Sequence, residues 1–168
     1  MKILETERLI LREVEAGDGE FMLDLLNQPS FIENIGDRNV RSVAAVREYI
    51  ESRFVESYRI NGFGMWAVEF KETGAVLGIC GFVKRDTLPD TDIGFAFLPQ
   101  FEGRGFASEA AVGVMKYGAE TLKFERVLAI TSPGNDRSGR LLEKLGFKYE
   151  RLIGINDEQL KLFAWDAE

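Results

Sequence analysis

The sequence predicts a mixed α/β sheet in the order β-α-α-β-β-β-α-β-α-β-β, within one domain spanning residues 1–168. Three observations predict it. The spacing of apolar residues changes from helical to strand-like after Asn61, and returns to helical after Gly105. Proline and glycine stops separate the periodic runs. The central stretch "FAFLPQFEGRGFASEAA", Phe95–Ala111, passes from a strand through a glycine loop into an Ala-rich helix. A chain of 168 residues supports one sizeable core and is short for two.

The elements follow in order. "RLILREV" (Arg8–Val14) alternates and predicts the first strand. "AGDGEFMLDLLNQPS" predicts a helix with Asp18 as N-cap, Phe21, Met22, Leu25 and Leu26 on one face, and Pro29 as its end. Val43, Val46, Ile50, Phe54 and Tyr58 recur at steps of three and four, which predicts a longer helix over Val40–Asn61. "FGMWAVEFK" and "AVLGICGFVKR" predict two strands joined by a hairpin at "ETG". "TDIGFAFLP" is a third strand, ended by Pro99, and a helix follows over about Phe106–Leu122. "RVLAITS" is a strand broken by Pro133-Gly134. "NDRSGRLLEKL" is a helix that stops at Gly146. "FKYERLIGI" and "QLKLFAW" close the chain as strands.

Composition excludes several chemistries. With no histidine, Ser-His-Asp and Cys-His catalysis, histidine-ligated metals and a histidine base are ruled out. The single cysteine, Cys80, lies in the apolar run "VLGICGFV" and is expected in the core. No metal is expected. The net charge of −7, with no Lys/Arg-rich run, argues against a nucleic-acid partner. No stretch approaches the ~18 apolar residues of a membrane span, and "MKILETERLILREV" has no apolar signal core, so the expected location is cytoplasmic.

The glycine loop points to an anion. Glycines let the backbone turn sharply and approach a ligand, and a helix start offers unpaired N–H groups with partial positive charge. Gly103 and Gly105 stand too close together for a P-loop, and no Lys-Ser/Thr pair follows them. A Rossmann fingerprint is also absent, because Ser108 stands where its third glycine or alanine belongs.

The full stretch resembles motif A of the GNAT superfamily, the acyl-CoA-dependent N-acetyltransferases, whose pattern Q/R-x-x-G-x-G/A matches Gln100, Gly103 and Gly105. "ETERLILREVEAGDGEF", "GFGMWAVEFKETGAVLGICGF" and "NDRSGRLLEKLGF" are similar to the opening, central hairpin and motif B of its RimJ/RimL-like branch. The resemblance covers essentially the whole chain. It implies acetyl-CoA as co-substrate, with Gly103, Arg104, Gly105, Phe106, Ala107 and Ser108 cradling the CoA pyrophosphate. It implies backbone contacts from Phe97 and Leu98 to the pantetheine arm, in a gap where this strand splays from "RVLAITS". Asn135 is expected to cap its helix and to bond the pantetheine.

Acyl transfer to an amine needs a proton acceptor for the amine and a donor for the leaving thiolate. Without histidine, the acceptor must be a carboxylate, a water chain, or nothing. Asp92 is the candidate, because several GNAT enzymes carry a glutamate at the matching place; Glu69 is a weaker alternative. Asp92, Gly94, Ala96 and Leu98 share one strand face. Ser138 matches the serine that the branch places three residues after an asparagine, proposed there to protonate the thiolate.

The expected acceptor wall is the loop Asn27–Asn39 with Phe31, Ile32, Glu33, Asp37 and Trp66. The expected activity is acetyl transfer to a primary amine by direct attack in a ternary complex. Branch resemblance favours a protein or peptide N-terminal amine over a small amine such as a polyamine or antibiotic. A non-catalytic acyl-CoA-binding module and an ATP-using enzyme are the other classes. Several relatives of that family dimerise, which leaves a homodimer open.

Overall fold

The computed structural model describes residues 1–168. Strand β1 (Lys2–Glu5) and β2 (Leu9–Glu13) form a hairpin. The helical segments α1 (Gly19–Leu26), α2 (Pro29–Asn34), α3 (Val43–Ile50) and α4 (Glu56–Asn61) come next. Strands β3 (Met65–Phe70), β4 (Val76–Val83) and β5 (Asp92–Phe97) lead into α5 (Phe106–Glu120). Strand β6 (Arg126–Thr131), α6 (Asp136–Lys144), β7 (Lys148–Ile155) and β8 (Glu158–Asp166) complete the chain.

All eight strands form one sheet, ordered β1-β2-β3-β4-β5-β6-β8-β7. The sequence-predicted order is observed, with two refinements. The first is β1, which consists of four residues with a bulge between Lys2 and Leu4, too short for alternation to reveal. The second concerns proline: Pro29 starts α2, at a position where its missing N–H costs no helix bond, instead of merely ending α1.

The long predicted helix is present in a modified form. Ser42 caps it by accepting from the Ala45 N–H at 3.1 Å, so the helix begins at Val43, and a π-helical stretch over Glu51–Val55 joins α3 to α4. Asp18 precedes α1 but does not cap it. Its carboxylate accepts instead from both terminal nitrogens of Arg12, each at 2.9 Å, and from the Glu15 N–H at 2.9 Å.

Two cores lie on opposite faces of the sheet. Helix α5 presses Phe106, Ala110, Ala111 and Val114 onto a core that includes Leu9, Trp66, Val68, Phe82, Ile93 and Phe97. Edge-to-face pairs join Phe82 to Phe63, Trp66 and Phe124. On the other face, α1–α4 bury Met22, Leu25, Val46, Ile50 and Phe54 against Ala67 and Ile79. Cys80 is fully buried in the α5-side core, where desolvation pushes its thiol well above the usual range. No helix is long and apolar enough to cross a membrane.

Candidate active site

The sheet parts between β5 and β6. Every other neighbouring pair is antiparallel with a run of registered residues, whereas β5 and β6 run parallel and share the single register pair Asp92–Leu128. The Leu128 N–H donates to the Thr91 carbonyl at 2.9 Å, and this contact closes the narrow end. Beyond it, β5 runs on to Phe97 and β6 to Thr131 without further pairing. The two strands are parallel, so the loops that follow them, and the starts of α5 and α6, stand at the same open end.

The register of β5 on β4 decides which backbone groups face this cleft. Phe97 sits opposite Gly78, and the Leu98 N–H donates to the Leu77 carbonyl at 2.9 Å. In an antiparallel ladder that arrangement marks Gly78–Phe97 as a non-hydrogen-bonded pair. The N–H and C=O of Phe97 therefore point away from β4, toward β6. At Leu98 the N–H is taken by Leu77 and the carbonyl accepts from the Phe101 N–H at 3.0 Å, so the second lone pair of that carbonyl is the backbone group left for the expected contact.

At the open end, Gly103 and Gly105 adopt φ of +77° and +79°, in the left-handed region that favours glycine. Gly105 is the residue before α5, and its carbonyl accepts the first helical bond, from the Glu109 N–H at 3.0 Å. No side chain caps this helix. The N–H groups of Phe106, Ala107 and Ser108 thus have no helical carbonyl to bond, at the positive end of a fifteen-residue helix. Arg104 is exposed, makes no ion pair, and lies over the Phe106 ring at 5.1 Å. The set suits a diphosphate: free N–H groups, a helix dipole and an uncompensated guanidinium.

Helix α6 starts differently. The Asn135 side-chain carbonyl accepts from the Ser138 N–H at 3.3 Å, so Asn135 is the cap and its amide NH₂ remains available. The partly buried Ser138 stands in the first turn. Two contacts link opposite rims of the open end. Arg137 at the start of α6 donates to Glu102 at 2.5 Å, and the Ser132 hydroxyl donates to the Asn34 carbonyl, at the end of α2, at 2.6 Å.

Asp92 lies at the narrow end, fully buried, with Arg85 Nε donating to Oδ1 at 3.1 Å and Oδ2 at 3.3 Å. Burial pushes its carboxyl up to about 6, against the opposing pull of the Arg85 charge and hydrogen bonds. Glu69 stands elsewhere: it accepts from Arg12 Nε at 3.0 Å, on the strand two removed from β5. Trp66 is not a wall residue, because it is buried in the α5-side core. Phe31 is buried in the core under α1–α4, whereas Glu33 near the end of α2 and Asp37 on the following loop are exposed.

Residues 8–148 match the family described as acetyltransferase (GNAT) domain. The chain belongs to the GNAT acetyltransferase family. An N-acetyltransferase of Bacillus subtilis called YoaA, itself uncharacterized, is 30% identical over 152 residues, covering 90% of this chain and 85% of the relative. The [ribosomal protein uS5]-alanine N-acetyltransferase of Escherichia coli is 31% identical over 90 residues, covering 52% of this chain and 45% of that enzyme. Among solved structures, a GNAT-family acetyltransferase from Bacillus anthracis is 26% identical with a TM-score of 0.80, covering 99% of this chain and 98% of that one. RimL, a ribosomal L7/L12 α-N-protein acetyltransferase solved with coenzyme A, superposes with a TM-score of 0.81 at 14% identity, covering 99% and 98%. The chain is an acyltransferase, built on a mixed sheet that parts between β5 and β6.

Sequence reasoning missed four participants. Arg85 escapes notice because its partner Asp92 lies across a hairpin, and Glu102, Asn34 and Glu109 because their partners are distant in sequence.

Proposed function

We propose that this chain transfers an acetyl group from acetyl-CoA to the α-amine of a protein or peptide N-terminus. The observation that carries the proposal is the uncapped start of α5 at the open end of the β5–β6 cleft. The cleft would receive the pantetheine arm along the free backbone groups of Phe97. The N–H groups from Gly105 to Ser108, with Arg104, would hold the diphosphate.

Acetyl-CoA supplies an activated acyl carbon and a thiol leaving group. The chain's own residues handle position and protons. Asp92, already near neutrality, accepts the amine proton through water, because its carboxyl is shut off from direct contact. The Ser138 hydroxyl hydrogen-bonds the sulfur as the C–S bond breaks, and Asn135 holds the arm through its free amide. The N–C bond would form as the C–S bond breaks, and the proton taken from the amine would return from Asp92 through water to the thiolate held by Ser138, giving the N-acetylated amine and CoA thiol.

An α-amine has a pKa of about 8 against about 10 for a lysine side chain, so it is presented neutral without a strong base. This suits a chain without histidine. The half-length match to an enzyme of ribosomal-protein N-termini supports the same acceptor class. The test is CoA release from acetyl-CoA with N-terminal peptides, polyamines and aminoglycosides. The proposal expects turnover with the peptides at the highest kcat/KM. Turnover with polyamines or aminoglycosides alone would refute the acceptor class, and no release with any amine would refute catalysis.

A further inference from the structure

One cluster near the cleft has no part in the chemistry above. The turn between β1 and β2 is tied to the first turn of α5 by one carboxylate. Glu109 accepts from the Thr6 hydroxyl at 2.5 Å, the Arg8 N–H at 2.8 Å and Arg8 Nε at 2.7 Å. Its partly buried carboxyl is pushed up by desolvation, but these donors outweigh that and hold it below the usual range. The guanidinium of Arg8, fixed in this way, lies over the Phe106 ring at 4.4 Å. Its Nη1 donates to the Arg104 carbonyl at 3.1 Å.

That last bond has a geometric consequence. The Arg104 carbonyl and the Gly105 N–H belong to one planar, trans peptide, so they point in opposite directions. No cis peptide occurs in the chain. Fixing the carbonyl on Arg8 aims the Gly105 N–H away from Arg8. Arg8 lines this side of Gly105, since a Cβ on Gly105 would lie in van der Waals contact with Arg8 Nη2, at 3.4 Å.

We propose that Glu109 is a positioning residue for the donor grip: by holding Arg8, it fixes the Arg104–Gly105 peptide with its N–H toward the diphosphate. This rests on the reading that residues 103–108 bind acetyl-CoA. Glu109 touches no ligand in this account. It acts across about a hundred residues of chain, through Arg8, on one peptide plane. It also neutralises Arg8, which leaves Arg104 as the uncompensated cation of the loop.

The test is acetyl-CoA affinity by titration calorimetry, kcat at saturating donor, and thermal midpoint, for Glu109→Gln, Arg8→Met and the double variant. Either single variant is expected to raise Kd about tenfold with kcat within twofold of wild type. The double variant is expected to be no weaker than the worse single one, because both act on the same peptide. A Kd within twofold of wild type in both single variants would overturn the proposal. So would additive losses that track a falling thermal midpoint, which would mark a packing role only. Wild-type protein that fails to bind acetyl-CoA would instead refute the donor assignment, before any variant is compared.

Discussion

Asp92 on β5 and Leu128 on β6 are the one registered pair at which two parallel strands meet before they part. The pair is the hinge of the cleft. Arg85 holds the Asp92 carboxylate at that point, so the proposed proton acceptor sits where the cleft is narrowest and driest.

The pH dependence of turnover follows from this placement. Burial raises the Asp92 carboxyl to about 6, so its proton-accepting form prevails above that pH and is lost below it. The log of kcat/KM is expected to show an acid limb near pH 6, in addition to the limb set by the amine. Asp92→Asn is expected to lower the plateau and abolish the limb near 6. A limb that persists in the variant would remove Asp92 from proton transfer.

The same shift carries a stability prediction. The folded value lies above the ordinary carboxylate value, so the native state binds this proton more tightly. The contribution of Asp92 to stability is therefore fully present in acid and is lost as pH rises through about 6. At pH 7 the variant gives up little. Asp92→Asn is expected to move the thermal midpoint by no more than about 2–4 °C, the equivalent of about 1 kcal/mol for a chain of this size.

Asp18 behaves in the opposite way. Burial raises its carboxyl, but the two Arg12 bonds and the Glu15 N–H outweigh this and leave it below the usual value. Its stabilisation is present above the unfolded carboxylate range and is lost as pH falls through the folded value. Asp18→Asn is expected to cost about 1–3 kcal/mol at pH 7 by leaving Arg12 short of a partner. The deficit against wild type, measured by denaturant melts, is expected to shrink as the buffer drops below about pH 4.

Ser138→Ala tests the leaving-group step. A hydrogen bond to a charged group is worth about 1.5–3 kcal/mol, so kcat is expected to fall about 10- to 100-fold if the hydroxyl meets the departing thiolate. Acetyl-CoA affinity is expected to stay within twofold, because the helix cap belongs to the Asn135 side chain and the Ser138 backbone N–H. Pre-steady-state turnover separates the two quantities, and an unchanged kcat would exclude the hydroxyl from the step.

Much of this architecture is legible in the sequence, for identifiable reasons. Period changes mark the strands and helices because each element buries one face, and α5 and β5 appear within a few residues of their observed bounds. The Asn135 cap is visible because it acts locally, three residues ahead in the chain. Spatial order is not visible. Nothing in "FKYERLIGI" or "QLKLFAW" says that β8 inserts between β6 and β7. Polar partners brought together by folding are equally hidden, whether distant in sequence, as Arg8 and Glu109 are, or across a turn, as Arg85 and Asp92 are. Leu98 shows the limit of face counting: alternation places its side chain, but the turn at Pro99–Phe101 decides that its carbonyl accepts from the Phe101 N–H.

The donor grip is the central claim, and Gly105→Val tests it most directly. Gly105 has a φ of +79°, which a β-branched residue adopts only with strain. Titration calorimetry of acetyl-CoA into the wild-type protein is expected to give saturable one-to-one binding. The Gly105→Val variant is expected to bind at least about tenfold more weakly, the equivalent of about 1.4 kcal/mol. Equal affinity in the two proteins, or no saturable binding in the wild type, would contradict the account.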